Sequence, residues 1–159
     1  MFAVPPNTIA LATTPASAHP ALIAMELAAD TESWRHLLRF HTRSRFVTLV
    51  ERTEAQEIWL MTWLPGQGTD PHNHGGATGA FTVVAGLLTE HVARGAGTEP
   101  ATETRHRVTA GQSRVFGPGY LHRVSNDHPT PAVSIHVYRP ARLPMITYRL
   151  DSGTPERVV

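Results

Sequence analysis

The sequence predicts an all-β domain, a small β-barrel or jelly roll, that follows a short helical segment near the N-terminus. Beyond Phe40 the chain is a series of short runs rich in β-branched and aromatic residues, bounded by turn residues such as Gly and Pro. Such a series indicates a sandwich or barrel and not a parallel α/β sheet. The 159 residues, 41% of them hydrophobic and 17% charged, are enough for one domain with a substantial core.

The first part of the chain divides into an arm and a helical segment. Residues 1–18 are rich in Ala, Thr and Pro, and we expect a flexible arm there. Residues 19–159 then form a single domain, with helices over about 20–40. The first helix would carry an apolar cluster of Leu22, Ile23, Met25 and Leu27. A second short helix, capped by Asp30 or Thr31, would carry Trp34, Leu37 and Leu38 at helical spacing.

The predicted strands begin with a hairpin. Residues 46–50 and 58–63 are β-branched and aromatic, and a polar turn over 52–56 separates them. The remaining predicted strands cover residues 79–84, 87–92, 104–108, 113–116, 132–138 and 145–150.

Composition excludes several classes of protein. Fourteen basic residues against thirteen acidic ones give a net charge of +1, which provides no electrostatic basis for nucleic-acid binding. No apolar run approaches the roughly 18 residues of a membrane helix, and no signal-peptide pattern is present, so we expect a cytoplasmic protein. The absence of Cys excludes disulfides, thiolate ligands and Cys nucleophiles. Any metal must therefore be held by His or carboxylate side chains.

The most informative stretch contains His72 and His74. On an extended segment, residues two apart point to the same face, so both imidazoles can serve one first-row metal ion. The alternative is a pair of surface histidines in a polar loop.

Two motifs around these histidines resemble the metal-binding motifs of the cupin superfamily. The first contains Gly66, His72, His74 and Gly86, and the second contains Gly111, Gly119, His122 and Asn126. The resemblance implies a double-stranded β-helix in which neighbouring strands bring His72, His74 and His122 around one ion. The Glu usual after the second His is missing, because Thr78 and Gly79 occupy its positions. Three neutral imidazoles would leave sites for a ligand with its own negative charge, such as a thiolate, and for dioxygen. Zn²⁺ would also accept three His and a water, so the motif does not choose the metal.

About half of the chain resembles the cysteine dioxygenase (thiol dioxygenase) family, as found in bacteria. The resembling residues are Trp63, 72–74, Phe81, Gly86, Glu90, 121–126 and 131–140. The resemblance implies an Fe(II) centre and a relay of Ser134, His136 and Tyr138 that directs the tyrosine hydroxyl at substrate and oxygen. Vertebrate members cross-link this tyrosine to a Cys, for which Gly79 stands here, so Tyr138 must be unmodified.

The family also holds the substrate carboxylate with an Arg from an early strand, since a guanidinium grips a carboxylate with two hydrogen bonds. Spacing to His72 favours Arg45, and Arg52 ranks second. Arg43 ranks third, although residues 41–43 resemble a local Tyr-x-Arg motif of the family. We therefore expect an Fe(II)-dependent dioxygenase that converts L-cysteine and O2 to cysteine sulfinic acid. Its partners would be a small thiol and O2, without nucleic acid or membrane, in a monomer or small homo-oligomer. The alternatives are another small thiol, such as 3-mercaptopropionate or a thiol amine, and a metal cupin that is not an oxygenase.

Overall fold

The structure is a computed structural model that describes residues 18–94, 101–150 and 154–158. Two antiparallel β-sheets face each other, and one α-helix, α1 (Pro20–Ala29), packs on the outside of one of them. This architecture confirms the predicted all-β barrel with an N-terminal helix. The expected flexible arm lies outside the described residues, except for Ala18. No helix in the part of the chain that the structure describes is long and apolar enough to cross a membrane.

The strands are arranged in two sheets. In chain order they are β1 (Phe46–Arg52), β2 (Glu57–Trp63), β3 (His72–Asn73), β4 (Thr78–Ala85), β5 (Leu87–Arg94), β6 (Thr102–Thr109), β7 (Ser113–Phe116), β8 (Leu121–Ser125), β9 (Ala132–Arg139), β10 (Ile146–Arg149) and β11 (Glu156–Arg157). One sheet has the order β1-β2-β9-β4-β7, and the other has the order β11-β10-β3-β8-β5-β6.

Strand β9 shows why the sequence folds in this way. Residues Ala132 to Val137 are all buried, although side chains alternate between the two faces of a strand. Val133, Ile135 and Val137 belong to the core beneath α1, whereas Ala132 belongs to the core between the sheets. The polar residues Ser134 and His136 therefore share the inner face with Ala132, and this is the face that carries the site.

The prediction of a second helix is wrong. The chain forms two single 3₁₀ turns instead, Thr31–Ser33 and Arg35–Leu37, and Asp30 makes no side-chain capping hydrogen bond. The physical reason lies at Trp34, whose backbone leaves the helical region between the turns. Its ring is buried, and its indole N–H donates to the carbonyl oxygen of Leu27 at 2.7 Å.

Two further expectations need correction. Met25 does not join the apolar cluster of α1, because it is 46% exposed, whereas Pro20 and Ala24 are buried. Residue patterns alone do not predict the short strands β3, β8 and β11. β3 and β11 are only two residues long and depend on pairing with neighbouring strands. The other strands are found within a few residues of their predicted bounds.

Asn126 fixes the loop that follows β8. Its side-chain N–H groups donate to the carbonyl oxygens of Trp63, at 3.0 Å, and Thr130, at 2.8 Å. Its side-chain oxygen accepts from the backbone N–H of His128. The amide is fully buried and has all of these groups satisfied, so it ties the end of β2 to the end of β8.

Candidate metal centre

Three histidines meet between the two sheets. His72 of β3 lies directly opposite His122 of β8, and His74 follows two residues later on the same extended segment. One ring nitrogen from each lies within 4.8 Å of the others, and all three side chains are buried. The Nε2 atoms of His74 and His122 are 3.3 Å apart. The structure thus brings together the three residues that the motifs predicted as ligands.

Burial keeps two of the three imidazoles in the neutral form, which is the form that can bind a cation. Burial, reinforced by the neighbouring histidines, lowers the pKa of His72 to about 4 and that of His74 to about 3. Both are therefore neutral near pH 7. The Nδ1 of His72 donates to the carbonyl oxygen of Asp70 at 2.8 Å, which leaves Nε2 to face the other rings. Three convergent imidazoles are a donor set that fits Fe(II) or Zn²⁺.

A buried carboxylate lies next to His122 on the side away from the other two histidines. Glu90 of β5 is fully buried and accepts a hydrogen bond from Nδ1 of His122 at 2.8 Å. Burial by itself would raise the pKa of Glu90, but the hydrogen bonds from His122 and Arg114 outweigh it, and the pKa is lowered. The sequence carries one signal for this residue. Glu90 lies two residues from both Leu88 and Val92, so it is an acid on a strand face that is otherwise apolar.

The second polar group is a chain of side chains along β9. The Oγ of Ser134 lies 2.8 Å from Nε2 of His136, and the hydroxyl of Tyr138 lies 3.2 Å from Nδ1 of His136. The indole N–H of Trp63 donates to Ser134 at 2.9 Å. Tyr138 lies next to the three-histidine cluster, since its ring centroid is 4.6 Å from that of His74.

Burial dominates the protonation of this chain. It lowers the pKa of His136 well below its ordinary value, with a further contribution from His74, so the ring is neutral. It also raises the pKa of the Tyr138 hydroxyl, and the carboxylate of Glu57 adds to that effect. Tyr138 is therefore a phenol, a hydrogen-bond donor and acceptor, at any pH near neutrality.

The three candidate arginines occupy different environments. Arg45 is half-buried, with its guanidinium carbon 5.5 Å from the centroid of the Trp63 ring. Its buried Nε has no hydrogen-bond partner among the described residues, and burial lowers its pKa. Arg52 instead donates to the carboxylate of Glu57 at 2.7 Å. Arg43 is exposed.

A cavity of about 190 Å³ opens beside the metal cluster. It reaches from His74 and Tyr138 to Glu57 at the start of β2. No sequence motif points to Glu57, which is a buried acid at the beginning of a mostly buried strand. The cavity's remaining walls are mostly apolar and consist of Val47, Trp59, Met61, Ala77, Pro140, Leu143 and Met145.

Solved structures of low sequence identity share the fold. A Klebsiella pneumoniae protein with a double-stranded β-helix domain is 21% identical, with a TM-score of 0.61 over 71% of this chain and 91% of its own. A Thermus thermophilus protein is 22% identical, with a TM-score of 0.58 over 67% and 92% of the two chains. A cupin superfamily protein of Desulfitobacterium hafniense is 6% identical, with a TM-score of 0.55 over 67% and 87%. The fold is therefore that of the cupins.

The family is given by a sequence profile. The profile of cysteine dioxygenase type I matches residues 17–149, which is most of the chain and includes both histidine motifs and β9. This match agrees with the three-histidine cluster and with the resemblance noted in the sequence. The chain belongs to the cysteine dioxygenase type I family.

Proposed function

We propose that the protein is an Fe(II)-dependent thiol dioxygenase that adds both atoms of O2 to the sulfur of L-cysteine, giving cysteine sulfinic acid. The observation that supports this most strongly is the pairing of two polar groups in one interior: three convergent buried histidines, and the chain of Ser134, His136 and Tyr138 beside them. The reaction is balanced without an external reductant, because the four electrons that reduce O2 come from the sulfur.

His72, His74 and His122 would hold the metal. When bound, Fe(II) supplies a Lewis acid that favours the thiolate form of the substrate, together with the redox chemistry that O2 requires. The protein contributes a ligand set without negative charge, since no carboxylate follows His74 at Thr78 or Gly79. An anionic substrate sulfur therefore meets less repulsion here than at a site that carries a ligating carboxylate.

Arg45 would bind the substrate carboxylate. A buried Nε–H without a hydrogen-bond partner is costly unless an acceptor arrives, and a carboxylate can accept from two N–H groups of one guanidinium together. Arg52 is less suited to this role, because its Nε–H is engaged by Glu57. Among the described arginines we therefore place the carboxylate at Arg45.

Tyr138 would donate a hydrogen bond towards the reacting atoms. Because the ring of His136 is neutral, one of its nitrogens carries a proton and the other accepts one. We assign the arrangement in which Ser134 donates to Nε2 of His136 and Nδ1–H donates to the Tyr138 oxygen. This leaves the phenolic proton free to point into the cavity, where the positioned donor orients and stabilises developing negative charge on oxygen.

Another small thiol is the second candidate for the substrate. The largely apolar walls of the cavity favour it, because a thiol without an ammonium group, such as 3-mercaptopropionate, loses less hydration there than cysteine does. A thiol amine is the corresponding substrate if Arg45 does not bind a carboxylate.

The test is oxygen consumption by protein that has been loaded with Fe(II) under anaerobic conditions. L-Cysteine, 3-mercaptopropionate and cysteamine are supplied separately, and O2 uptake is compared with loss of free thiol. We expect one O2 consumed per thiol with L-cysteine. No uptake with any of the three would contradict the proposal and favour a metal cupin that is not an oxygenase.

A further inference from the structure

The only acid on the inner face of β5 is Glu90. Its neighbours on that face, Leu88 and Val92, are apolar and buried, and Glu90 itself has no exposed surface. A carboxylate in such a place is strongly destabilising unless hydrogen-bonding partners compensate for its lost hydration. Its presence in the core therefore requires a specific set of partners.

Both oxygens of Glu90 have a donor. Oε1 accepts from Nδ1 of His122 at 2.8 Å, and Oε2 accepts from Nε of Arg114 at 2.5 Å. Arg114, whose side chain is 30% exposed, also donates to the hydroxyl of Tyr120 at 3.3 Å. Both oxygens of the carboxylate are therefore held by hydrogen bonds, and one of them contacts the ring of His122.

We propose that Glu90 is the positioning residue of the metal centre, and that it sets the tautomer and orientation of His122. This inference rests on the proposed metal-binding role of the three histidines. A neutral imidazole can carry its proton on either nitrogen. An acceptor at Nδ1 places the proton there, so that the Nε2 lone pair points at the other two rings and is available to a cation.

His72 has a different kind of partner on its outer nitrogen. Its Nδ1 is held in the same manner, but by the backbone carbonyl of Asp70, which no side-chain substitution removes. Among the ligand histidines in the described residues, His122 is the one with a carboxylate on its outer nitrogen. Arg114 supports the Glu90–His122 contact indirectly. Its hydrogen bond to Oε2 fixes the orientation of the carboxylate, and with it the direction of Oε1.

The chain provides a control on the opposite face of β5. Buried His91, next to Glu90 on β5, has its Nδ1 2.9 Å from the carboxylate of Glu103 on β6. This is also a His–Glu pair between strands, but its histidine is not in the cluster of ligands. Glu103→Gln should therefore perturb a comparable hydrogen bond without changing the metal centre.

The experiment measures Co(II) binding to the full-length metal-free protein by titration calorimetry and by visible absorption. In Glu90→Gln, the single amide oxygen can serve only one of the two donors, so either His122 or Arg114 loses its acceptor. We expect Glu90→Gln to raise the Kd for Co(II) about 10- to 100-fold, with an altered Co(II) spectrum. Glu103→Gln should leave both the Kd and the spectrum unchanged. Arg114→Met, which retains the Glu90–His122 contact, should have a smaller effect than Glu90→Gln.

A Kd for folded Glu90→Gln that equals the wild-type value would overturn the inference, even if the variant melted at a lower temperature. If the wild-type protein itself bound no Co(II), the proposed metal site would fail instead, so the two failures are distinct. Nitrogen-15 NMR of the metal-free wild-type protein gives an answer that needs no variant. We expect His122 to be the Nδ1–H tautomer, and a proton on Nε2 would contradict the proposal.

Discussion

At the scale of single residues, Arg45 and Tyr138 are the side chains that we expect to contact the substrate. Tyr138 lies near the end of β9, where its ring is close to that of His74, and Arg45 immediately precedes β1. The two groups act on different parts of the substrate. Their removal should therefore change different kinetic constants.

Tyr138→Phe removes the hydroxyl and keeps the ring that packs near His74. We expect kcat to fall about 10- to 100-fold, because one hydrogen bond to a charged group is worth about 1.5–3 kcal/mol. The iron content should remain that of the wild type, since the hydroxyl is not a ligand. Steady-state kinetics and metal analysis on the same preparation check both expectations. Loss of iron in this variant would mean that the role of Tyr138 has been misassigned.

Arg45→Met removes the guanidinium while keeping an unbranched side chain of moderate length. We expect KM for L-cysteine to rise by more than tenfold, because a charge-assisted interaction with the carboxylate is lost. KM for cysteamine, which has no carboxylate, should change little. Arg43→Met at an exposed position is the control. Equal effects on the two substrates would show that Arg45 does not bind the carboxylate.

How far the sequence predicts these residues depends on the range of the interactions. The spacing of His72 and His74, and of Ser134, His136 and Tyr138, follows from the two-residue period of extended chain, and the structure places these residues accordingly. The choice among the arginines depends on the register of a hairpin that shifts between Leu49 and Glu51. No local pattern contains that information.

At the scale of elements, the pairing of β4 with β9 determines what can stand beside Tyr138. Gly79 of β4 lies opposite Tyr138. A Cβ added at Gly79 would collide with the carbonyl oxygen of Val137 and would lie 2.6 Å from Cζ of Phe116. The glycine thus follows from the close approach of the strands, and the backbone here leaves no room for the cysteine that vertebrate relatives place at this position.

Gly79→Ala should therefore destabilise the protein. We expect a loss of about 1–3 kcal/mol in the free energy of unfolding, because overpacking against backbone cannot be relieved by a rotamer change. Thermal or urea unfolding of the metal-free protein measures it. Gly117→Ala is the control, since a Cβ there meets nothing within 4 Å. Equal stability of the two variants would show that β4 and β9 do not approach as closely as described.

The elements that were mispredicted are those controlled by tertiary contacts. Trp34 has helical spacing to Leu37 and Leu38, but its indole N–H bonds back to α1 and interrupts the turn. Strand β3 comprises two residues, which no propensity argument can identify. It exists because β8 and β10 lie on either side of it.

At the scale of the whole molecule, the buried histidines connect the metal centre to stability. In the folded, metal-free protein the pKa values of His72 and His74 are about 4 and about 3, below their ordinary value. Between pH 6.5 and about 4, therefore, the unfolded chain takes up protons that the folded protein does not. This difference favours unfolding as the pH falls.

We therefore expect the metal-free protein to melt at a lower temperature at pH 5 than at pH 7. Each of these histidines contributes up to about 1.4 kcal/mol per pH unit below its ordinary pKa. His74→Leu removes one of them, so its stability should depend less steeply on pH over the same interval. Calorimetric melts of both proteins between pH 5 and 7 measure the slopes. Equal slopes would show that His74 is not a neutral, buried imidazole in the folded state.

The composition already excluded thiolate ligands, and the cupin barrel places His72 and His122 on neighbouring strands of one sheet instead. We propose that this barrel oxidises a thiol with both atoms of one O2 molecule. Mass spectrometry of the product formed from L-cysteine in ¹⁸O2 tests it most directly. We expect a sulfinic acid that carries two ¹⁸O atoms, and no product from protein in which His122 is replaced by Ala. A product with a single ¹⁸O atom, or with oxygen derived from water, would contradict the claim.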